Sequence, residues 1–152
     1  MNIQKIILGQ LDRKIKLLGK AETLTIPSSG WIFAIRQALG MSLRQLGSKM
    51  GITPQSVKEM EEREKNGSIS LIVLRHFGKS MDMKLVYGFI PKQKSLEKLV
   101  EERAAELAEE IVTRTSISME LEDQKLGSEL IKKAIKEKAY ELKQEMPKFL
   151  WD

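Results

Sequence analysis

Apolar residues near the start of the chain recur at spacings of mostly three and four: Ile3, Ile6, Ile7, Leu11, Ile15 and Leu18. This period predicts an amphipathic helix over residues 3–20, whose apolar face packs either on its own body or on a partner copy. Leu24–Gly30, which contains Pro27, Ser28, Ser29 and Gly30, interrupts the pattern and reads as a linker. Residues 31–81 then show short helical stripes separated by Gly and Pro. Trp31–Leu39 turns Ile32, Ile35 and Leu39 inward, and Ser70–Met81 does the same with Leu71, Leu74 and Phe77. Residues 83–90 (Met-Lys-Leu-Val-Tyr-Gly-Phe-Ile) are rich in β-branched and aromatic side chains and stop at Pro91, which predicts a strand.

Beyond Ser95 the helical period returns. Leu96, Leu99, Val100, Ala104, Leu107, Ala108 and Ile111 form one stripe with Glu-rich flanks. Leu130, Ile131, Ala134, Ile135, Ala139 and Leu142 form another, ended by Pro147. Between them residues 113–123 fit two patterns: Ile117, Met119 and Leu121 alternate as in a strand, while their flanks favour a helical turn. The expected fold is mainly α, in four segments: an N-terminal helix and linker (1–29), a helical domain (30–82), a strand (83–91) and a C-terminal helical extension (92–152). A lone strand leaves its N–H and C=O groups unpaired. Pairing of Leu85, Val86, Tyr87 and Phe89 with the same strand of a second copy is the simplest remedy, so the pattern predicts a two-fold homodimer.

Composition narrows the function. A chain of 152 residues, 41% hydrophobic and 31% charged, is long enough to bury an ordinary core and is not compositionally disordered. It lacks cysteine, which removes disulfides and thiolate metal sites and fits a reducing cytoplasm. No apolar run approaches the roughly 20 residues that span a bilayer, so no membrane partner is expected. The basic residues of Met1–Lys20 are spread through the apolar ones, unlike a secretory signal. With a single histidine (His76), no Gly-rich phosphate loop and no metal-spaced cluster, no catalytic residue, metal or cofactor is expected. Glu101-Glu102 and Glu109-Glu110 read as solvated helix charge. The net charge is +3 over residues 1–30, +6 over 31–94 and −4 over 95–152. A basic front and an acidic rear suit a polyanion at one end and a different partner at the other.

The basic middle also holds the most specific motif. In residues 41–61, Ser42 can cap a helix running to Met50. Leu46 and Met50 face inward, and Gly47 allows another helix to approach. Gly51 supplies the left-handed backbone of a tight turn, and Ile52 plugs that turn. Thr53 is an N-cap, with Pro54 at the first helical position where its missing N–H costs nothing. Val57 and Met60 then face the core, leaving Gln55, Ser56, Lys58 and Glu59 toward solvent.

On Leu46-Gly47, Met50-Gly51-Ile52-Thr53, Val57 and Met60-Glu61, this segment closely resembles the lambda-repressor-like, or Xre-type, helix-turn-helix. The resemblance implies a transcriptional regulator, a repressor or autoregulator, that lays the helix Pro54–Glu62 in the major groove of double-stranded DNA. It makes Gln55, Ser56, Lys58 and Glu59 the base-reading residues, with Gln suited to adenine and Lys to guanine. Glu59 could instead hold Lys58 or Arg63 in place. It also makes Ser42, Arg44, Thr53, Arg63, Lys65, Asn66 and Ser68 the phosphate-contacting ones. Two positions depart from the pattern: Leu43 stands where many relatives have a polar phosphate-contacting residue, and Pro54 where some have a base-reading side chain. The run Glu61-Glu62-Arg63-Glu64 is more acidic than a DNA face should be.

The chain is also similar to the narrower group called mobile mystery protein A. That similarity rests on Gly30-Trp31-Ile32, Ala34-Ile35-Arg36, Ala38-Leu39-Gly40-Met41-Ser42, Met81-Asp82 and Leu85-Val86-Tyr87. It continues through Ser118-Met119, Leu121-Glu122, Gln124 and Leu150-Trp151-Asp152. It implies an antitoxin-like role beside a Fic-domain protein. The inhibitory motif of Fic antitoxins, Ser/Thr-x-x-x-Glu-Gly/Asn, is approached at Ser118–Glu122 but fails at Asp123.

Overall fold

The computed structural model describes residues 2–117 and 124–152. The Fic-type segment Ser118–Asp123, and with it most of the ambiguous stretch 113–123, lies outside the described residues. Among the described residues the chain is mainly helical, with seven α-helices and no strand. In chain order they are α1 (Ile3–Lys16), α2 (Trp31–Ala38), α3 (Leu43–Met50), α4 (Pro54–Asn66), α5 (Leu71–Ser80), α6 (Leu96–Ile117) and α7 (Gln124–Glu145). Short 3-10 turns lie at Gly19–Thr23 and Lys148–Trp151. None of the described helices is long and apolar enough to cross a membrane.

The chain divides into a central unit, Thr23–Tyr87, and a discontinuous unit, Met1–Glu22 with Gly88–Asp152. In the central unit α2–α5 close around Ile32, Leu46, Val57, Phe77 and Met81. Met41, Leu43, Met50, Ile52, Met60, Ile69, Val73 and Leu74 pack against that core. Leu39, expected inside, is 55% exposed, because α2 ends at Ala38 and Leu39 falls at its C-cap. Leu71 is likewise largely exposed, at the first position of α5 beyond the Ser70 cap.

The discontinuous unit is an α6–α7 pair to which α1 and the C-terminal turn are attached. Val100, Ala104 and Ala108 lie on one stripe of α6 and are buried with Leu142 and Leu150. The two fully buried alanines let the α7 backbone come close. Leu130, expected on the apolar stripe of α7, is 65% exposed. Of the predicted apolar face of α1, Ile3, Ile6, Ile7 and Leu11 are exposed and Ile15 and Leu18 are half-buried, while Leu8 packs on the core.

Hydrogen bonds fix α1 where apolar contact does not. The Asp12 carboxylate accepts from the backbone N–H of Leu96 at 2.7 Å and of Glu97 at 3.1 Å. It therefore caps the N-terminus of α6 from far away in sequence, satisfying orphan donors with a negative charge at the positive helix end. At the other end, the Asn2 amide donates to the carbonyls of Gln144 at 3.0 Å and Glu145 at 3.2 Å, the last residues of α7. The Lys5 ammonium also donates to the Gln144 side chain. Arg103 holds the C-terminal turn through the Leu150 and Asp152 carbonyls, at 2.5 and 2.8 Å.

Lys143 of α7 bridges Glu101 at 3.2 Å and Glu97 at 3.5 Å on α6. The hydrogen bond that Lys143 donates to Glu101, followed by the charges of both carboxylates, holds the ammonium pKa above its ordinary value despite partial burial. A raised folded-state value means the bridge adds stability throughout neutral pH. The lysine's share of that contribution is lost as pH rises through the lysine range.

The segment 83–90, expected to be a strand, carries no regular secondary structure. A strand is defined by its ladder, and no described residue offers it a partner edge. Leu85 is half-buried, while Val86, Tyr87 and Phe89 are exposed at 69%, 59% and 88%.

Replacing Asp12 by Ala should cost about 1 kcal/mol of stability through loss of the α6 cap. Urea denaturation of the full chain checks this, and an unchanged midpoint would mean that Asp12 does not cap α6.

Candidate nucleic-acid interface

The site begins with the turn between α3 and α4. Ser42 and Gln45 form a reciprocal capping box at the start of α3: Ser42 Oγ accepts from Gln45 N–H at 3.1 Å, and Gln45 Oε1 accepts from Ser42 N–H at 2.8 Å. α3 ends at Gly51, whose φ of 70° is the left-handed conformation that glycine adopts without strain. Thr53 caps α4, its hydroxyl accepting from Ser56 N–H at 3.0 Å and donating to Ser56 Oγ at 2.9 Å, with Pro54 at the first helical position. Gly47 is required for a closer reason than expected. A Cβ there would stand 2.6 Å from the Ile52 carbonyl oxygen, so it is the backbone of the turn itself, not another helix, that needs the space.

The rotation of α4 about its axis is set by four inward positions. Val57 is fully buried, Met60 packs on the core, and Glu61 and Glu64 follow on the same face. Glu61 pairs with Arg36 of α2 through two bonds, Nε to Oε2 at 2.7 Å and Nη2 to Oε1 at 3.0 Å, both side chains being buried. The remaining Arg36 donor reaches the Met41 carbonyl at 2.9 Å, and the Phe33 ring lies 5.3 Å from the guanidinium carbon. Glu64 accepts from the N–H groups of Trp31 and Ile32, each at 2.8 Å, and so caps α2. Two of the three glutamates that made residues 61–64 look too acidic for a DNA face therefore point away from it.

At about 100° per residue, the opposite side of α4 centres on Gln55, Glu59, Glu62 and Asn66. Lys58 stands at one edge, with Ser56 and Arg63 at the other. Gln55, Lys58 and Glu59 are exposed and Ser56 is half-buried. Neither Lys58 nor Arg63 is ion-paired among the described residues, so Glu59 holds neither of them. Ser42, Arg44, Thr53, Arg63, Lys65, Asn66 and Ser68 are all exposed. Asn66 and Ser68 are tied together: Asn66 Oδ1 accepts from Ser68 N–H at 3.1 Å and from Ser68 Oγ at 2.6 Å. The Ser68 oxygen and the Asn66 amide N–H groups stay available to a ligand.

The pairing of Arg36 with Glu61 and the capping of α2 by Glu64 were not expected from the sequence. The signal was there in the helical register, since Glu61 and Glu64 follow Val57 at i+4 and i+7, and Arg36 follows Ile32 at i+4. Comparison with protein-family models, with curated proteins and with solved structures gave no match for this chain.

Arg36→Met leaves a buried carboxylate unpaired and should destabilise the central unit by about 3–5 kcal/mol, whereas Arg36→Met with Glu61→Leu should recover most of that loss. Chemical denaturation of both variants checks this. Equal stability of the single variant and the parent would show that the pair does not order α2 against α4.

Proposed function

We propose that this protein is a sequence-specific double-stranded DNA-binding regulator of the lambda-repressor-like type, acting as a homodimer. The observation that carries this reading is the orientation of α4. Its apolar and buried-acid face is held inside by Val57, Met60, Glu61 and Glu64, while Gln55, Lys58 and Glu59 stand exposed at its N-terminal end. That is the end such a helix presents to base edges. A Gln amide matches the N6 and N7 of adenine, and a Lys ammonium donates to guanine O6 or N7. Arg44, Arg63 and Lys65 are exposed cations able to neutralise phosphates, with Ser42, Thr53, Asn66 and Ser68 as neutral contacts.

Dimerisation is proposed through 83–90. Its exposed Val86, Tyr87 and Phe89 and its lack of a partner edge among the described residues support pairing with the same segment of a second copy. Two copies bring two recognition helices to half-sites about one DNA turn apart, roughly 34 Å.

A fluorescence-anisotropy titration on duplex DNA from upstream of its own gene tests the reading. With three cations per copy on phosphates, log affinity should fall against log salt with a slope of about −2.7 per copy, and Lys65→Gln should flatten it by about 0.9. Gln55→Ala should cost about 1–3 kcal/mol of specific binding without moving the thermal midpoint. Absence of binding at low salt would reject the assignment. Loss of folding on Gln55→Ala would mean that α4 is wrongly oriented.

A further inference from the structure

A second basic feature of the central unit lies away from α4. The last turn of α3 (Lys49, Met50) and the second half of α5 (Arg75, His76, Lys79, Ser80) line a groove of about 500 Å³. No acidic residue occurs anywhere in α3 or α5. Among the described residues neither Lys49, Arg75 nor Lys79 makes an ion pair. Arg75 and Lys79 stand at i, i+4 on one helix face, where like charges repel. The Arg75 guanidinium is instead steadied over the Tyr87 ring, 5.7 Å from its centroid, a contact that orients it without consuming its charge or its hydrogen-bond donors.

The helix ends explain only part of this. A cation in the last turn of a helix is favourable against the carbonyl end of the dipole, which accounts for Lys49 and Lys79. Arg75 is more than a turn from the end of α5 and gains little from that field. The three cations outweigh the partial negative charge of the two helix ends, so the groove is net positive and suits an anionic group such as a phosphate. The volume exceeds what a bare phosphate fills and falls in the range of about 300–1,000 Å³ typical of small-molecule sites. The Met50 thioether offers an apolar contact to whatever the phosphate carries.

We propose that this groove binds a phosphorylated small molecule of nucleotide size, with Lys49, Arg75 and Lys79 around the phosphate and the organic part against Met50. The site does not depend on the DNA reading, because none of its residues belongs to the proposed DNA-contacting set.

The test is calorimetric titration of the full-length protein with ADP, adenosine and inorganic phosphate, for the parent and for the double variant Lys49→Gln with Lys79→Gln. Thermal melting confirms that the variant is folded. ADP should bind the parent, adenosine should bind on the order of tenfold more weakly, and the double variant should lose on the order of tenfold in ADP affinity. Its affinity for the upstream duplex should be unchanged. No ADP binding up to about 1 mM would overturn the proposal. So would equal ADP affinity in parent and variant, or adenosine binding as tightly as ADP. Tighter binding of inorganic phosphate than of ADP would reduce the groove to a simple anion site and would also overturn it. Loss of duplex affinity in the variant without ADP binding would assign the three cations to DNA instead.

Discussion

The rotation of α4 in the central unit is fixed by the paired charges of Arg36 and Glu61. A guanidinium edge meets a carboxylate through two parallel bonds only within a narrow range of relative orientations. Once Arg36 is fixed by the Met41 carbonyl and the Phe33 ring, Glu61 can reach it from a single rotation of α4. Glu64, one turn further along, takes the N-terminus of α2 in the same geometry. Apolar packing by Val57 and Met60 alone would tolerate some rolling of the helix, whereas two charge-assisted contacts on the same stripe do not. The polar side carrying Gln55, Lys58 and Glu59 is outward because its opposite is so fully committed.

The same device recurs in the discontinuous unit. α1 buries little apolar surface and has no buried residue, yet Asp12 caps α6 and Asn2 caps the end of α7. Orphan backbone groups at helix ends thus bind the first turns of the chain to its last helices. A helix held in this way leaves an apolar stripe, Ile3, Ile6, Ile7 and Leu11, facing out of its unit.

What the sequence made legible was local chemistry. Ser42, Gly51, Thr53 and Pro54 act within three or four residues of themselves, so cap, turn and helix start could be read from their order. Long-range partners could not be read so easily. Periodicity shows which residues share a helix face, not whether a neighbour covers it: Leu130 is exposed against expectation, and most of the α1 stripe is left uncovered in its unit. Residues 83–90 have strand composition, but composition supplies no partner edge. Glu61 and Glu64 looked like a liability for DNA binding because charge was counted along the chain and not around the helix. Glu59 and Glu62 do remain on the outward side of α4, so that side is mixed in charge.

The account turns on which surface of the central unit meets the duplex. Amide chemical-shift mapping of the full chain during titration with its upstream DNA observes that directly. The shifts should cluster at residues 42–44, 53–59 and 63–68 and leave α6 and α7 undisturbed. Shifts confined to α1, α6 or α7, with the amides of Gln55 and Lys58 unmoved at saturation, would contradict it.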